Sequence, residues 1–516
     1  MKFFQHLWVS ITFCFGFSIL YGQSNSKSPN IIYILADDLG YGDLGVYGQQ
    51  IIETPHIDAL AEGGMKFTQH YAGSAVCAPS RSVLLTGQHP GHTPIRGNDE
   101  WKERGDTWNY IKMFEDPTLE GQRPMPVSTV TMAQILNKQG YKTGMVGKWG
   151  LGAPNTSSIP TQMGFDYFIG YNCQRQAHTL TPLHLWENDK RLLLSNDTIA
   201  PHTRLGVDQD VTDYKNYLPY TRGHYAPAEM HSKAMAFLEE NKNEPFFLYY
   251  ASPLPHLPLQ APEKWINYYR KKIGPEVPYA GNKGYFPNQY PRATYAAMIS
   301  YLDEQVGELI QFLKNNDLME NTLIIFSSDN GPTYDTGGAD TEFFESGGQF
   351  GSKRGEGKGF LREGGIRVPM IAHWQGKIKE QSVSDHISAF WDVLPTLSDL
   401  SGAPVLESTD GISLLPVFLD QKRKIKTHEY LYWEIPEYGG QQAVRMGKWK
   451  AYRPKIKSES NLEIQLYDLE IDPRETNNIA SEFPEIVQKM EQIIKSAHTP
   501  PIYSAFEMPA IEEPRD

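Results

Sequence analysis

Asn30-Ile-Ile-Tyr-Ile-Leu-Ala-Asp-Asp-Leu39 is the stretch on which the architecture turns. Residues 31–35 form a short, apolar, β-branched run bracketed by polar residues, the pattern of a strand buried on both faces. Asp37 and Asp38 follow without a break, so two carboxylates stand at the carboxyl edge of whatever sheet this strand joins. Outward along the chain, apolar runs at 142–146, 165–169, 245–250, 323–327 and 368–372 read as further strands. Helical patterns at 55–62, 79–85, 130–138, 227–241, 292–314 and 391–400 alternate with them; Thr54 caps the first, and the second opens at Cys77-Ala78-Pro79. Alternation of this kind predicts an α/β fold, a large and mostly parallel sheet flanked by helices on both faces.

The pattern changes after Gly402-Ala-Pro-Val405. Short segments at 429–433, 443–446, 448–452 and 466–469 are separated by turn residues, and a helical pattern at 484–496 closes the chain. This predicts a smaller C-terminal antiparallel sheet with a packed helix, so the expected division is 23–402 for a catalytic domain and 403–516 for a subdomain leaning on it.

Residues 1–22 carry one charge, Lys2, and an apolar run at 7–20 that gives way to a polar stretch at 23–30. That order is a signal peptide's, and the run of about 14 residues is short of the roughly 20 needed to span a bilayer. The expectation is an exported protein, periplasmic or secreted, with no transmembrane segment in the mature chain. Removing the leader leaves Cys77 and Cys173, at most one disulfide for a chain of 516 residues. The formal net charge of −13 disfavours adhesion to nucleic acid or an anionic membrane, so an anionic substrate must meet a local basic pocket.

Asp329-Asn330-Gly331 also follows an apolar run, which brings it to the same sheet edge as Asp37-Asp38 if the sheet is parallel. Two like charges ~4 Å apart repel by about 4 kcal/mol at an effective dielectric of about 20, so three carboxylates there demand a cation. With the Asn330 amide the donor set is all oxygen, which suits Ca²⁺ better than Zn²⁺.

Cys77-Ala-Pro-Ser-Arg-Ser-Val-Leu-Leu-Thr-Gly87 is one continuous string at the predicted helix start. It resembles the signature of the formylglycine-dependent sulfatases, C-x-P-S-R followed by L-T-G, arylsulfatase-like members of the alkaline-phosphatase superfamily. The resemblance implies that a maturation enzyme oxidises Cys77 to an aldehyde, which hydrates to a diol. One hydroxyl of that diol attacks sulfur, and re-forming the carbonyl expels sulfate without a second attack. A nucleophile at a helix start also meets the backbone N–H groups and positive dipole end that favour an anion. The same resemblance makes Asp37, Asp38, Asp329 and Asn330 the calcium ligands beside the modified Cys77.

Three cations match family positions: Arg81 and Lys148, implied to steady the formylglycine, and Lys358, implied to grip a sulfate oxygen. His256, in Ser252-Pro-Leu-Pro-His-Leu-Pro258, resembles the family His at the sulfate and is a candidate acid toward the leaving oxygen. One departure stands out, because many sulfatases have Gly-Lys-Trp-His-Leu-Gly where this chain has Gly150 in Gly147-Lys-Trp-Gly-Leu-Gly152. His178 is the expected substitute imidazole, with Gln174 and Arg175 of the same Cys173-Gln-Arg-Gln-Ala-His178 segment as substrate contacts. The likeness spans nearly the whole chain, including Leu466-Tyr-Asp-Leu-Glu-Ile-Asp-Pro-Arg-Glu-Thr-Asn-Asn-Ile479.

The implied function is hydrolysis of a sulfate ester, on a sulfated carbohydrate, with Trp101, Trp108, Trp186 and Trp433 as candidate stacking faces. Two alternatives stay open at this stage. One is a phosphomonoesterase or phosphodiesterase of the same superfamily, which would carry two zinc ions. The other is a silent sulfated-glycan-binding protein, motivated by the missing His at 150.

Overall fold

A computed structural model describes residues 28–512 except 198 and 222; the leader read at 1–22 lies outside the described residues. Its main sheet contains β1 (Asn30–Ala36), β2 (Met65–Tyr71), β3 (Lys142–Lys148), β4 (Tyr167–Tyr171), β5 (His184–Glu187), β6 (Lys190–Leu193), β7 (Phe246–Ala251), β8 (Thr322–Ser328), β9 (Arg367–His373), β10 (Ser382–Ser384) and β11 (Ser388–Ala389). The order is β10-β2-β9-β8-β1-β7-β3-β4-β5-β6, with β11 also against β2. The five central strands β8, β1, β7, β3 and β4 are parallel to one another. Antiparallel pairs β8·β9, β9·β2, β4·β5 and β5·β6 extend it on both sides. The mostly parallel α/β reading holds, with antiparallel flanks built from strands such as β2, β5 and β6 that short or mixed patterns did not announce.

Alternation along β1 explains why the sheet is covered twice. Ile31, Tyr33 and Leu35 face one core, and Ile32, Ile34 and Ala36 face the other. The first core takes in Val83, Leu84 and Leu85 of the helix Cys77–Thr86. The second is covered by the helices Pro55–Glu62, Ala226–Asn241 and Pro291–Asn315. Because both faces are apolar, polarity inside the strand does not fix its register. Its polar ends do: a slip would push Asp37 into a core, or drag Asn30 from its bonds to Thr322 and Phe246.

A separate antiparallel sheet, β12 (Leu431–Ile435), β13 (Gln441–Met446), β14 (Trp449–Arg453) and β15 (Gln465–Asp468), pairs in sequence order. Trp433, Ala443 and Tyr452 join the main core through one face, while Tyr432, Val444 and Ala451 pack on the helix Pro484–Ala497 through the other. No helix among the described residues is long and apolar enough to cross a membrane.

Candidate active site

Five parallel strands deliver their carboxyl ends to one edge, and the candidate residues follow from that. β1 and β8 are in register to Ala36 and Ser328, so Asp37-Asp38 and Asp329-Asn330 leave the sheet side by side. Asp38 turns the chain with φ +64°, and its N–H donates to Asp329 Oδ1 at 3.2 Å. Gly331 follows because a Cβ there would stand 1.9 Å from Gly364 O. Lys148 ends β3, the loop after β7 carries His256, and the loop after β4 carries Gln174, Arg175 and His178.

Cys77 is the first residue of a helix whose ten residues are all buried, and Gly87, at φ +68°, ends it in the left-handed conformation. The thiol faces the acidic edge, with Sγ 3.5 Å from Asp37 Oδ1 and 3.5 Å from Lys148 Nζ. One turn on, the Arg81 guanidinium donates to Asp329 Oδ2 at 3.0 and 2.8 Å and to Lys148 O at 2.6 Å. Lys148 Nζ lies 2.6 Å from Asp37 Oδ2, and Lys358 Nζ 2.7 Å from the Asp38 carboxylate. Three carboxylates thus meet three cations.

The electrostatics separate the three roles. Burial opposes ionisation of Asp37, but Lys148, His256, Arg81 and Lys358 prevail and hold its carboxyl below the usual range. Burial and the neighbouring Asp37 push Asp329 up to about 6 against the pull of Arg81. Burial and Asp37 raise the Cys77 thiol, with Lys148 and Lys358 unable to reverse them. An unmodified Cys77 is therefore a poor thiolate, in contrast to cysteines that act as nucleophiles in their own right. Cys77 and Cys173 are both unpaired and buried.

The donor set fits a hard cation. Asn330 directs Nδ2 to Asp38 Oδ1 at 2.7 Å and to Gly331 O, and its buried Oδ1 has no hydrogen-bond partner among the described residues. That orphaned oxygen and the carboxylates of Asp37, Asp38 and Asp329 are donors of the kind suited to Ca²⁺. One ligand atom each from Asp37, Asp38, Cys77 and His256 lie within 4.8 Å of one another.

His256 closes the other side. Its Nδ1–H donates to Leu257 O at 2.6 Å, and Nε2 lies 3.8 Å from Asp38 Oδ2. Burial, Lys148 and Lys358 hold it well below the ordinary histidine value. The ring of His178 stacks on it, centroids 5.7 Å apart at 16°. Gly150 has φ +78°, and a Cβ there would lie 2.0 Å from Gln174 Nε2, so the Gln174 amide fills the space beside that backbone. Both amide atoms of the buried Gln174 are without a hydrogen-bond partner among the described residues.

Arg175 is placed otherwise than expected. Its buried guanidinium pairs with Glu100 at 2.5 Å and donates to Leu119 O, so it braces a neighbouring loop and is not free for substrate. Two of the four proposed stacking faces are also corrected. Trp433 is fully buried with Nε1 on Ala72 O, and Trp186 is buried with Nε1 on Glu120, because both fill packing that their sequence context did not reveal. Trp108 alone of the four is largely exposed.

Sequence reading missed His202 and Tyr285, which pack on His178 with ring centroids 5.2 and 5.1 Å away. Both come from irregular loops without a motif, and the one signal is conformational: both have positive φ, +68° and +61°.

The Sulfatase family model matches residues 29–403, and the model for the C-terminal region of N-sulphoglucosamine sulphohydrolase matches residues 353–499. Arylsulfatase A of Homo sapiens is 31% identical over 508 residues, covering 92% of this chain and 88% of its own. N-acetylgalactosamine-6-O-sulfatase of Bacteroides thetaiotaomicron is 31% identical over 536 residues, covering 92% and 94%. The solved structure of Ps i-CgsB in complex with k-i-k-neocarrahexaose superposes with a TM-score of 0.70 at 26% identity, covering 92% of this chain and 95% of that one.

Proposed function

This chain belongs to the sulfatase family and is a sulfuric ester hydrolase, and from that premise we propose that it releases sulfate from a sulfated carbohydrate through a formylglycine made from Cys77 by a maturation enzyme. The observation that carries the proposal is the placement of Cys77, buried at a helix start with Sγ 3.5 Å from both Asp37 Oδ1 and Lys148 Nζ. The formylglycine would supply a hydrated aldehyde, a nucleophile able to expel sulfate by re-forming its carbonyl. A Ca²⁺ ion held by Asp37, Asp38, Asp329 and Asn330 would supply positive charge beside the sulfate oxygens.

The chain's own groups do the rest. Asp37, kept ionised by Lys148 and Arg81, is placed to accept a proton from the group at position 77. Lys148, 3.5 Å from Cys77 Sγ, steadies the modified side chain, while Lys358 donates toward a sulfate oxygen and stabilises charge as the S–O bond breaks. A sugar alkoxide is a poor leaving group, and His256 protonates it. With Nδ1–H tied to Leu257 O, His256 donates from Nε2 only as the imidazolium, a form that the arriving sulfate's negative charge favours. His178 supplies the second imidazole and Gln174 a free amide toward the sugar. A carbohydrate ester is supported by the relative named N-acetylgalactosamine-6-O-sulfatase and by the neighbour in complex with k-i-k-neocarrahexaose. Export through the N-terminal leader belongs to the same proposal.

Mass spectrometry of the peptide containing Cys77, after co-expression with a maturation enzyme, tests it alongside sulfate release from sulfated oligosaccharides. The expected result is turnover together with an aldehyde mass at Cys77. Active protein carrying an unmodified thiol would overturn the mechanism.

A further inference from the structure

The hydrogen bonds around His178 fix which of its nitrogens carries the proton. Tyr285 N–H, which can only donate, lies 3.0 Å from His202 Nδ1, so that nitrogen must be an acceptor. A neutral imidazole with an accepting Nδ1 carries its hydrogen on Nε2, and His202 Nε2 lies 3.1 Å from His178 Nδ1. His178 Nδ1 therefore accepts, and the proton of His178 resides on Nε2. An imidazolium at His202 would leave the Tyr285 N–H facing another N–H.

The stacked partner has the opposite polarity. His256 spends its Nδ1–H on Leu257 O, so in its neutral form Nε2 is a lone pair. The two parallel rings consequently offer one acceptor, His256 Nε2, and one donor, His178 Nε2–H. A ring whose Nδ1 is occupied and whose Nε2 is protonated is not a base. His178 thus answers the missing His at Gly150 in a different way from the substitute base that the sequence suggested.

We propose that His202 is a positioning residue for sulfate-ester hydrolysis: by donating to His178 Nδ1 it holds His178 as an Nε2–H donor directed at an oxygen of the bound sulfate ester. This rests on the reading of the edge beside Cys77 as the sulfatase site. His202 and Tyr285 both hold left-handed backbone conformations, and they meet through this hydrogen bond and through their rings, centroids 4.9 Å apart. Such strain persists where the surrounding structure over-determines it. The function served is the choice of tautomer, as an acid or carbonyl behind a catalytic imidazole does elsewhere.

The test compares His202→Gln, whose amide nitrogen replaces Nε2 as a donor, with His202→Leu, which has no donor. Both are made in the full-length matured protein and assayed on sulfated oligosaccharides, and ¹⁵N-histidine spectra report the tautomer of His178. The proposal expects the Nε2–H tautomer in the wild type and in H202Q, with kcat of H202Q within about threefold of wild type. It expects a mixed tautomer in H202L and a fall of about tenfold or more in kcat, with KM within about twofold. Equal losses in H202Q and H202L, an unchanged H202L, or an Nδ1–H tautomer in the wild type would overturn it. Wild-type protein without sulfatase activity would defeat the broader functional reading instead, and the tautomer spectra would still decide the role of His202.

Discussion

Two buried clusters of charge in this chain look alike in composition and differ in use. At the strand edge, Asp37, Asp38 and Asp329 meet Arg81, Lys148 and Lys358. At the junction of the two sheets, Glu363 meets Lys450 at 2.9 Å and Arg367 at 3.1 Å, Tyr71 donates to it at 2.7 Å, and Lys450 also reaches Glu475 at 3.3 Å. The junction cluster ties the helix Glu363–Ile366 to side chains of β9, β14 and β2 and to Glu475. The edge cluster is hung from loops that leave parallel strands, and the Cys77 thiol lies against it, 3.5 Å from both Asp37 Oδ1 and Lys148 Nζ. Ionic balance alone does not mark a catalytic site. What sets the edge cluster apart is its place where parallel strands end, with the thiol of a helix's first residue beside its carboxylates.

Substitutions in the two regions should separate accordingly. The largest effect is expected from Cys77→Ala, which removes the proposed nucleophile and should lower sulfate release by at least about 10³-fold while the thermal midpoint moves little. Loss of stability in step with loss of activity would erase the distinction between the clusters. Lys450→Met should do the reverse, leaving Glu363 and Glu475 buried without their common partner at a cost of about 3–5 kcal/mol in urea unfolding. Turnover per folded molecule should stay near wild type.

Acid should discriminate between them as well. Burial opposes the ionisation of Glu363, yet Lys450, Arg367 and Arg445 prevail and hold it below its ordinary 4.5, while burial and Glu363 itself raise Glu475. A depressed carboxylate contributes its stability above its unfolded value and loses it as pH falls toward the folded one. Unfolding free energy measured from pH 5 down to pH 2 should therefore drop, and Glu363→Gln should flatten that slope. A smaller effect is expected at the strand edge from Gly150→Ala. The positive φ costs about 1–2 kcal/mol, and the new Cβ would displace the Gln174 amide. An unchanged melting curve with unchanged KM would remove Gln174 from the substrate side of the comparison.

Much of this was legible in the chain. β1 and β8 announce themselves as apolar runs ending in acidic pairs, and the helix at Cys77 carries its own start and stop in Pro79 and Gly87. Flanking strands were harder. β2 reads Met-Lys-Phe-Thr-Gln-His-Tyr and owes its strand state to pairing with β9, and β5 and β6 are four residues each. Arg175 and Glu100 give no sequence hint of each other, being 75 positions apart and joined only by the fold.

The amino-acid sequence by itself determined the kind of sheet and singled out Cys77 with the acidic and basic groups that the fold brings to it, because apolar periodicity and a contiguous string of residues are local properties. Only the tertiary structure decided that three cations neutralise three carboxylates, that Gln174 stands in the space beside Gly150, and that His202 reaches His178. Charge pairing and hydrogen bonding depend on distances of 3–4 Å between segments that can lie hundreds of residues apart. No spacing along the chain encodes those distances until the strands have set them.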